Sequence, residues 1–160
     1  MAQLTLDNPT DLLHYQLRTA LTMENDSLAA LGELEKAAAS SEVKKMFRHH
    51  ADETREQLDN LASVFKLLEF KETTAPSPST KGISKQAAGL IVKTAKPLLD
   101  QVVLSCALGN EHYEISAYQS LLVPVRAMGA TEVEALLVAN LDQETHTSEE
   151  LHEMLQKVAG

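Results

Sequence analysis

A chain of 160 residues is long enough for one domain with its own buried core. It carries 14 basic and 23 acidic side chains, a formal charge of −9, which argues against nucleic acid or an anionic membrane as a partner because the phosphate term is repulsive. With 44% hydrophobic residues and only 6 Gly and 5 Pro, it is not an extended disordered chain.

Asn8 is a good N-cap, Pro9 suits the first helical position and Asp11 the first turn, so a first helix is predicted from there to about Ala38. A break at Ala39-Ser40-Ser41 leads into a second helix from about Glu42 to Phe70. So short a connection makes the two antiparallel. The Pro, Ser and Thr residues between Lys71 and Thr80 mark a loop. A short amphipathic segment follows, from about Ile83 to Ala95. Pro97 punctuates it, and a long third helix runs to about Met128, with Pro124 kinking its last turn. Gly129 supplies a C-terminal cap, and Thr131 with Glu134 makes a capping box for a fourth helix that reaches almost to the C-terminus.

Aromatic residues make up 4% and tryptophan is absent, a composition that favours helix over sheet. The connection from Lys71 to Lys96 can travel the length of a bundle. The expected fold is therefore all-α, a single domain over residues 1–160: a four-helix bundle of two antiparallel hairpins joined by a long crossover containing a short extra helix.

Several function classes drop out. No apolar run approaches the roughly 18 residues of a membrane span. The stretch Met1 to Pro9 lacks the basic-then-apolar order of a signal peptide. The single cysteine, Cys106, excludes an intramolecular disulfide or a thiolate-rich metal site and is expected as a small buried hydrophobe. There is no Gly-x-Ser-x-Gly and no phosphate-cradling glycine loop. The chain reads as soluble and cytoplasmic.

The core pattern carries the functional signal. Bundle helices place apolar residues at alternating spacings of 3 and 4. The four seams are Leu17, Leu21, Glu24, Leu28, Leu31; then Val43, Phe47, His50, Thr54, Gln57, Leu61, Val64, Leu68; then Leu104, Leu108, Glu111, Ile115, Tyr118, Leu122, Val125; and Val133, Leu137, Asn140, Glu144, Thr147, Leu151, Met154, Val158. Each is broken near its midpoint by polar residues: Glu24, His50 with Glu53, Glu111 with Glu114, and Glu144. At about 1.5 Å of rise per residue, Glu24 and Glu53 lie roughly 15 and 13 residues from the first turn, and Glu114 and Glu144 roughly 15 from the second. All four helices then present carboxylates to one layer.

Burying several carboxylates together costs several kcal/mol per ion, and like charges add repulsion. No Lys or Arg sits on a seam to pair with them. Two divalent cations would supply about four positive charges, and hard oxygen ligands with one imidazole suit them. A single polar seam residue can instead merely fix register, and a lone His50 is as readily a satisfied core histidine. His49 is expected in solvent, and His112 and His146 fall beside the seams. Tyr118 is either core or a hydrogen-bond donor to a carboxylate. Thr54, Gln57, Asn140 and Thr147 would orient the acids.

These residues also carry a resemblance. Met23-Glu24, His50-Ala51-Asp52-Glu53-Thr54-Arg55-Glu56-Gln57, Glu111-His112-Tyr113-Glu114-Ile115-Ser116-Ala117-Tyr118 and Leu141-Asp142-Gln143-Glu144 are similar to segments of the YciE/YciF group of bacterial ferritin-like proteins, over nearly the whole length. The resemblance implies a dimeric ferritin-like bundle with a di-iron-type site and a link to stress responses. It carries over Glu24, His50, Glu53, Glu111, Glu114 and Glu144 as metal ligands for two iron ions, with Mn or a mixed Fe/Mn pair as alternatives. The chain departs from the general pattern of two Glu-x-x-His pairs. Glu56 follows Glu53 and Thr147 follows Glu144 at that spacing, His50-x-x-Glu53 runs in reverse, and Ser148 stands where the family has a further acid.

The expectation is oxidation of Fe(II) by O₂ or peroxide, with Glu53 and either Glu111 or Glu144 bridging and His50 terminal. A homodimer encloses no mineral cavity, so storage is not expected. Two alternatives stand beside it: a metal-independent bundle that binds a partner or protects, and a structural Zn or Mn site without turnover. No sequence feature marks an organic-substrate pocket.

Overall fold

The computed structural model describes residues 4–160, so the first three residues of the Met1–Pro9 stretch lie outside it. Helix α1 spans Pro9–Ala37, α2 Ser41–Leu67, α3 Pro78–Ile91, α4 Leu99–Ala127 and α5 Thr131–Ala159, with a 3-10 turn at Lys96–Leu98 before α4. No strand occurs among the described residues. Helices α1 and α2 pack as one hairpin, α4 and α5 as the other, and α3 lies against α4 and α1. This is the expected bundle with its long crossover. No described helix is long and apolar enough to cross a membrane.

Local chemistry explains most boundaries. The Asn8 side chain accepts a hydrogen bond from the Asp11 amide at 2.9 Å, and Pro9 follows at the start of α1. Ser40 caps α2 by accepting from Val43 N at 3.3 Å. The Asp100 carboxylate accepts from the Ala39 amide at 2.6 Å and the Ser40 amide at 3.2 Å, tying the first hairpin turn to the start of α4. Gly129, at φ +68°, ends α4, and the Ala130 amide reaches back to Val125 O.

Four boundaries differ from expectation. Helix α2 stops at Leu67 rather than Phe70, because Glu69 takes φ +56° and the Phe70 amide bonds back to Phe65 O at 2.9 Å. This is the reversal a glycine usually makes, and with Glu in its place the sequence reads as continuing helix. The crossover helix starts at Pro78, well before Ile83, and ends at Ile91 rather than Ala95. Thr131 does not cap α5: Ala130 holds that position without a side-chain hydrogen bond, and Glu134 instead accepts from Arg126 at 2.7 Å.

The loop before α3 is stitched to α1. Arg18 donates to Thr74 O at 2.9 Å, Thr22 donates to Ala75 O, and the Ala75 amide donates to Arg18 O. Thr80 then donates to Asp26 at 2.9 Å. These bonds hold α3 alongside the α1–α4 groove.

The core is split. One apolar cluster includes Leu17, Leu61, Leu122 and Leu137; the other includes Leu31, Phe47, Leu104 and Leu151. Between them lies a layer of buried polar side chains. The seams shift slightly from those expected: Ser27 and Ala107 are buried, whereas Leu28, Leu108 and Ile115 are only partly so, and Val158 is exposed; Glu114 is buried, as expected.

Candidate metal centre

The polar layer is built from four helices at mid-length. Glu24 on α1, Glu114 on α4 and Glu144 on α5 each bring a carboxylate oxygen within 4.8 Å of the other two. All three are buried, as is Glu111 one turn before Glu114. Glu111 and Glu114 both share hydrogen bonds with the Glu144 carboxyl. No lysine or arginine is buried among the described residues, so the protein supplies no internal countercharge.

Burial pushes Glu24 from an ordinary 4.5 up to about 7, against the downward pull of a hydrogen bond from Tyr118. Burial holds Glu111, Glu114 and Glu144 well above the usual carboxylate range, and repulsion from neighbouring acids adds to it. In the protein alone these groups therefore retain protons. Each still has one buried oxygen without a hydrogen-bond partner: Oε2 of Glu24 and Glu111, Oε1 of Glu114 and Glu144. A buried acceptor left unmatched costs about 1–3 kcal/mol. Four in one layer, all hard oxygen donors, is a set that fits a divalent cation of the Fe or Mn type.

A scaffold of hydrogen bonds orients the acids. Asn60 donates to Asn140 at 2.8 Å, Asn140 to Tyr118 at 3.1 Å, and Tyr118 to Glu24 at 2.5 Å. On the other side Asn110 donates to Ser27 at 3.1 Å, and Ser27 in turn hydrogen-bonds Glu114. Thr147 donates to Glu53 at 3.1 Å. Thr54 does not orient an acid: its hydroxyl turns back to His50 O. Gln57 Oε1 is buried without a partner.

His50 and Glu53 stand apart from the three converging acids. Glu53 is partly exposed and pairs with His49 Nε2 at 3.4 Å; burial raises its pKa and Thr147 opposes that. His50 is buried, and burial lowers its pKa, which favours the neutral ring. Its Nε2 lies 3.5 Å from Glu150 Oε2, and its Nδ1 has no partner. His146 pairs with the other Glu150 oxygen at 3.0 Å. His49, His112 and His146 are all exposed.

Two contributors escaped the sequence reading. Ser27 lies three residues beyond Glu24, on the same face, but the neighbouring Leu28 was the stronger seam candidate. Glu150 lies off the seam, and only its spacing of four from His146 hints at the pair.

Comparison with known proteins gives this geometry a context. Over 146 residues the chain is 24% identical to protein YciF of Escherichia coli (strain K12), covering 90% of this chain and 88% of that one. The solved structure of YcfI from Rhodopseudomonas palustris, described as a candidate structural protein, matches with a TM-score of 0.91 at 27% identity, over 95% of this chain and 98% of that one. The crystal structure of the E. coli stress protein YciF also gives 0.91, at 22% identity over 96% and 98%, a likeness of fold. The family model described as a domain of unknown function, DUF892, matches residues 8–160, and the chain belongs to this YciF-type family.

Proposed function

We propose that the polar layer is a dinuclear non-haem carboxylate site for two iron ions, with Mn or a mixed Fe/Mn pair as the alternative occupants. The observation that carries this reading is the set of four buried carboxylates on three helices, each with an unpartnered oxygen and no buried cation nearby. Glu24, Glu114 and Glu144 would hold one ion. Glu111, with Glu53 and the neutral His50 beside the layer, would supply the donors for a second. When bound, the iron pair supplies electrons to O₂ or peroxide, so the protein would act as a ferroxidase in a stress response.

The chain's own residues perform the rest. The raised carboxyl pKa values mean that protons occupy the site in the absence of metal and leave as cations enter, which makes affinity rise with pH. Tyr118 fixes one Glu24 oxygen and leaves Oε2 free. Ser27 and Thr147 position Glu114 and Glu53 through their hydroxyls. Apolar clusters flank the layer on both sides.

This reading includes a cytoplasmic homodimer with no nucleic-acid or membrane partner, in keeping with the charge of −9. The description of YcfI as a candidate structural protein favours a second reading, a metal-independent bundle that protects or binds a partner. Following Fe(III) absorbance after adding Fe(II) and O₂ separates them. The first reading expects oxidation faster than the buffer rate, lost in Glu114→Gln/Glu144→Gln; the second expects the buffer rate in both.

A further inference from the structure

Of the six residues proposed for the two ions, five are buried, and only Glu53 meets solvent. A cavity of about 410 Å³ between α1, α3 and α4 also borders Glu111. Its wall is formed largely by Leu31, Leu34, Ile83, Ala87 and Ile91, and its two charged residues, Glu33 and Lys36, pair with each other at 3.1 Å. Apolar walls cannot replace a cation's hydration shell. A cation is better served on the α2–α5 face, where Glu53 stands.

That face is built differently. Each helix contributes one His-x-x-x-Glu pair, a spacing that puts both side chains on one side of the helix. On α2, His49 Nε2 lies 3.4 Å from Glu53 Oε1; on α5, His146 Nε2 lies 3.0 Å from Glu150 Oε1. The pairs face each other. Thr147 donates across to Glu53 at 3.1 Å, and His50 Nε2 lies 3.5 Å from Glu150 Oε2. His49 and His146 both act electrostatically on His50 and on Glu53.

Side-chain exposure falls inward through this cluster, from 64% and 65% at His49 and His146 to 36% at Glu150 and 17% at Glu53. At its inner edge His50 is buried, with Nδ1 unpartnered, and Glu53 acts in turn on Glu111 within the layer. Donors therefore run from solvent to the acids without an apolar gap.

We propose that His49, His146 and Glu150 form an outer capture site for a divalent cation of the Fe(II), Co(II) or Zn(II) kind, which passes from there to Glu53 and His50. Imidazole suits those ions and disfavours Mn(II), Mg(II) and Ca(II), which prefer oxygen. The outer donors are not drawn together as tightly as Glu24, Glu114 and Glu144. Exposed side chains reorient within picoseconds to nanoseconds, so the rings close on an ion as it arrives and water completes its shell. A site this exposed exchanges its ion with solvent and adds nothing to the metal retained through purification. The capture site rests on the α2–α5 geometry, and its feeding role rests on the dinuclear reading.

The first test is calorimetric titration with Co(II) of the full chain carrying Glu114→Gln/Glu144→Gln, which disables the layer; Glu24→Gln/Glu114→Gln serves if that background does not fold. A single Co(II) per chain is expected. Adding His49→Ala/His146→Ala should weaken it at least about tenfold, whereas His112→Ala/His152→Ala, at exposed histidines elsewhere, should not. The second test follows tyrosine fluorescence in the stopped flow with the layer intact, since Tyr118 is bonded to Glu24 and tryptophan is absent. His49→Ala/His146→Ala should slow Co(II) quenching at least about tenfold with its final amplitude unchanged.

No saturable Co(II) binding in the disabled background would overturn the capture site. So would binding that survives loss of His49 and His146, or that falls equally in the His112/His152 control. A filling rate unchanged by His49→Ala/His146→Ala would overturn the feeding role. Absence of quenching already in the wild type would overturn the dinuclear reading, and the feeding role with it, but not the capture site.

Discussion

Tyr118 and Glu24 are 94 residues apart in the chain, yet the Tyr118 hydroxyl donates to Glu24 Oε1 at 2.5 Å inside the bundle. The same hydroxyl accepts from Asn140 at 3.1 Å, so one phenol links α5, α4 and α1 at the level of the acid layer. Tyr118 is fully buried, and its own pKa is raised well above normal, first by burial and then by the Glu24 charge. It stays a donor throughout the physiological range.

Tyr118→Phe should therefore leave one Asn140 N–H, the other being held by Gln57 O, and a Glu24 oxygen unmatched with little change in packing. The expected loss is about 1–3 kcal/mol of stability, read from urea unfolding. The Glu24 pKa should rise further, since the lost bond pulls it down; carboxyl carbon NMR of the variant reads that shift directly. Wild-type stability in Tyr118→Phe would mean that the hydroxyl network is incidental.

Stability of the metal-free protein should fall as pH rises. The folded carboxyls of Glu24, Glu111, Glu114 and Glu144 have pKa values above the ordinary 4.5, about 7 for Glu24. Between those values the folded state binds more protons than the unfolded chain, so the contribution is complete below about 4.5 and disappears as pH climbs through about 7 and beyond. Urea midpoints in EDTA should be lower at alkaline than at mildly acidic pH. Glu114→Gln/Glu144→Gln should flatten that slope; a slope as steep as wild type would place its origin elsewhere.

The same double variant separates repulsion from metal binding. In EDTA above neutral pH it should be more stable than wild type by about 1–4 kcal/mol, because two buried acids no longer face each other. Mn(II) should raise the wild-type melting temperature, by the equivalent of about 2.7 kcal/mol at a hundredfold excess over Kd, and leave the variant unmoved.

Glu69 offers a prediction independent of the site. Its φ of +56° is a left-handed conformation that costs a non-glycine residue about 1–2 kcal/mol. Glu69→Gly should stabilise the fold by about 1 kcal/mol without altering metal content, as chemical denaturation would report. A destabilised variant would mean that Glu69 has contacts outweighing that strain.

How far the sequence could be read depended on whether the signal was periodic or local. Bundle topology followed from apolar spacing and from Pro9, Ser40 and Gly129, each of which acts through its own backbone or cap. The convergence of Glu24, Glu114 and Glu144 could be placed by counting residues from each turn, since rise along a helix is nearly constant. Rotation about the helix axis is less constrained by counting. An error of one position put Leu28 on the seam where Ser27 is buried, and counting gave no sign that the buried His50 has Glu150 as its side-chain partner. The 410 Å³ cavity was invisible, because it arises from how α3 docks in the α1–α4 groove, and that docking rests on hydrogen bonds between segments distant in sequence.

The central claim is that the acid layer holds metal. The most direct measurement is elemental analysis of full-length protein purified untagged from iron-supplied cells, beside Glu114→Ala/Glu144→Ala prepared identically. The account predicts about two metal ions per wild-type chain, as expected for a dinuclear carboxylate site, and almost none in the variant. Trace metal in both proteins would contradict it, as would equal metal in both.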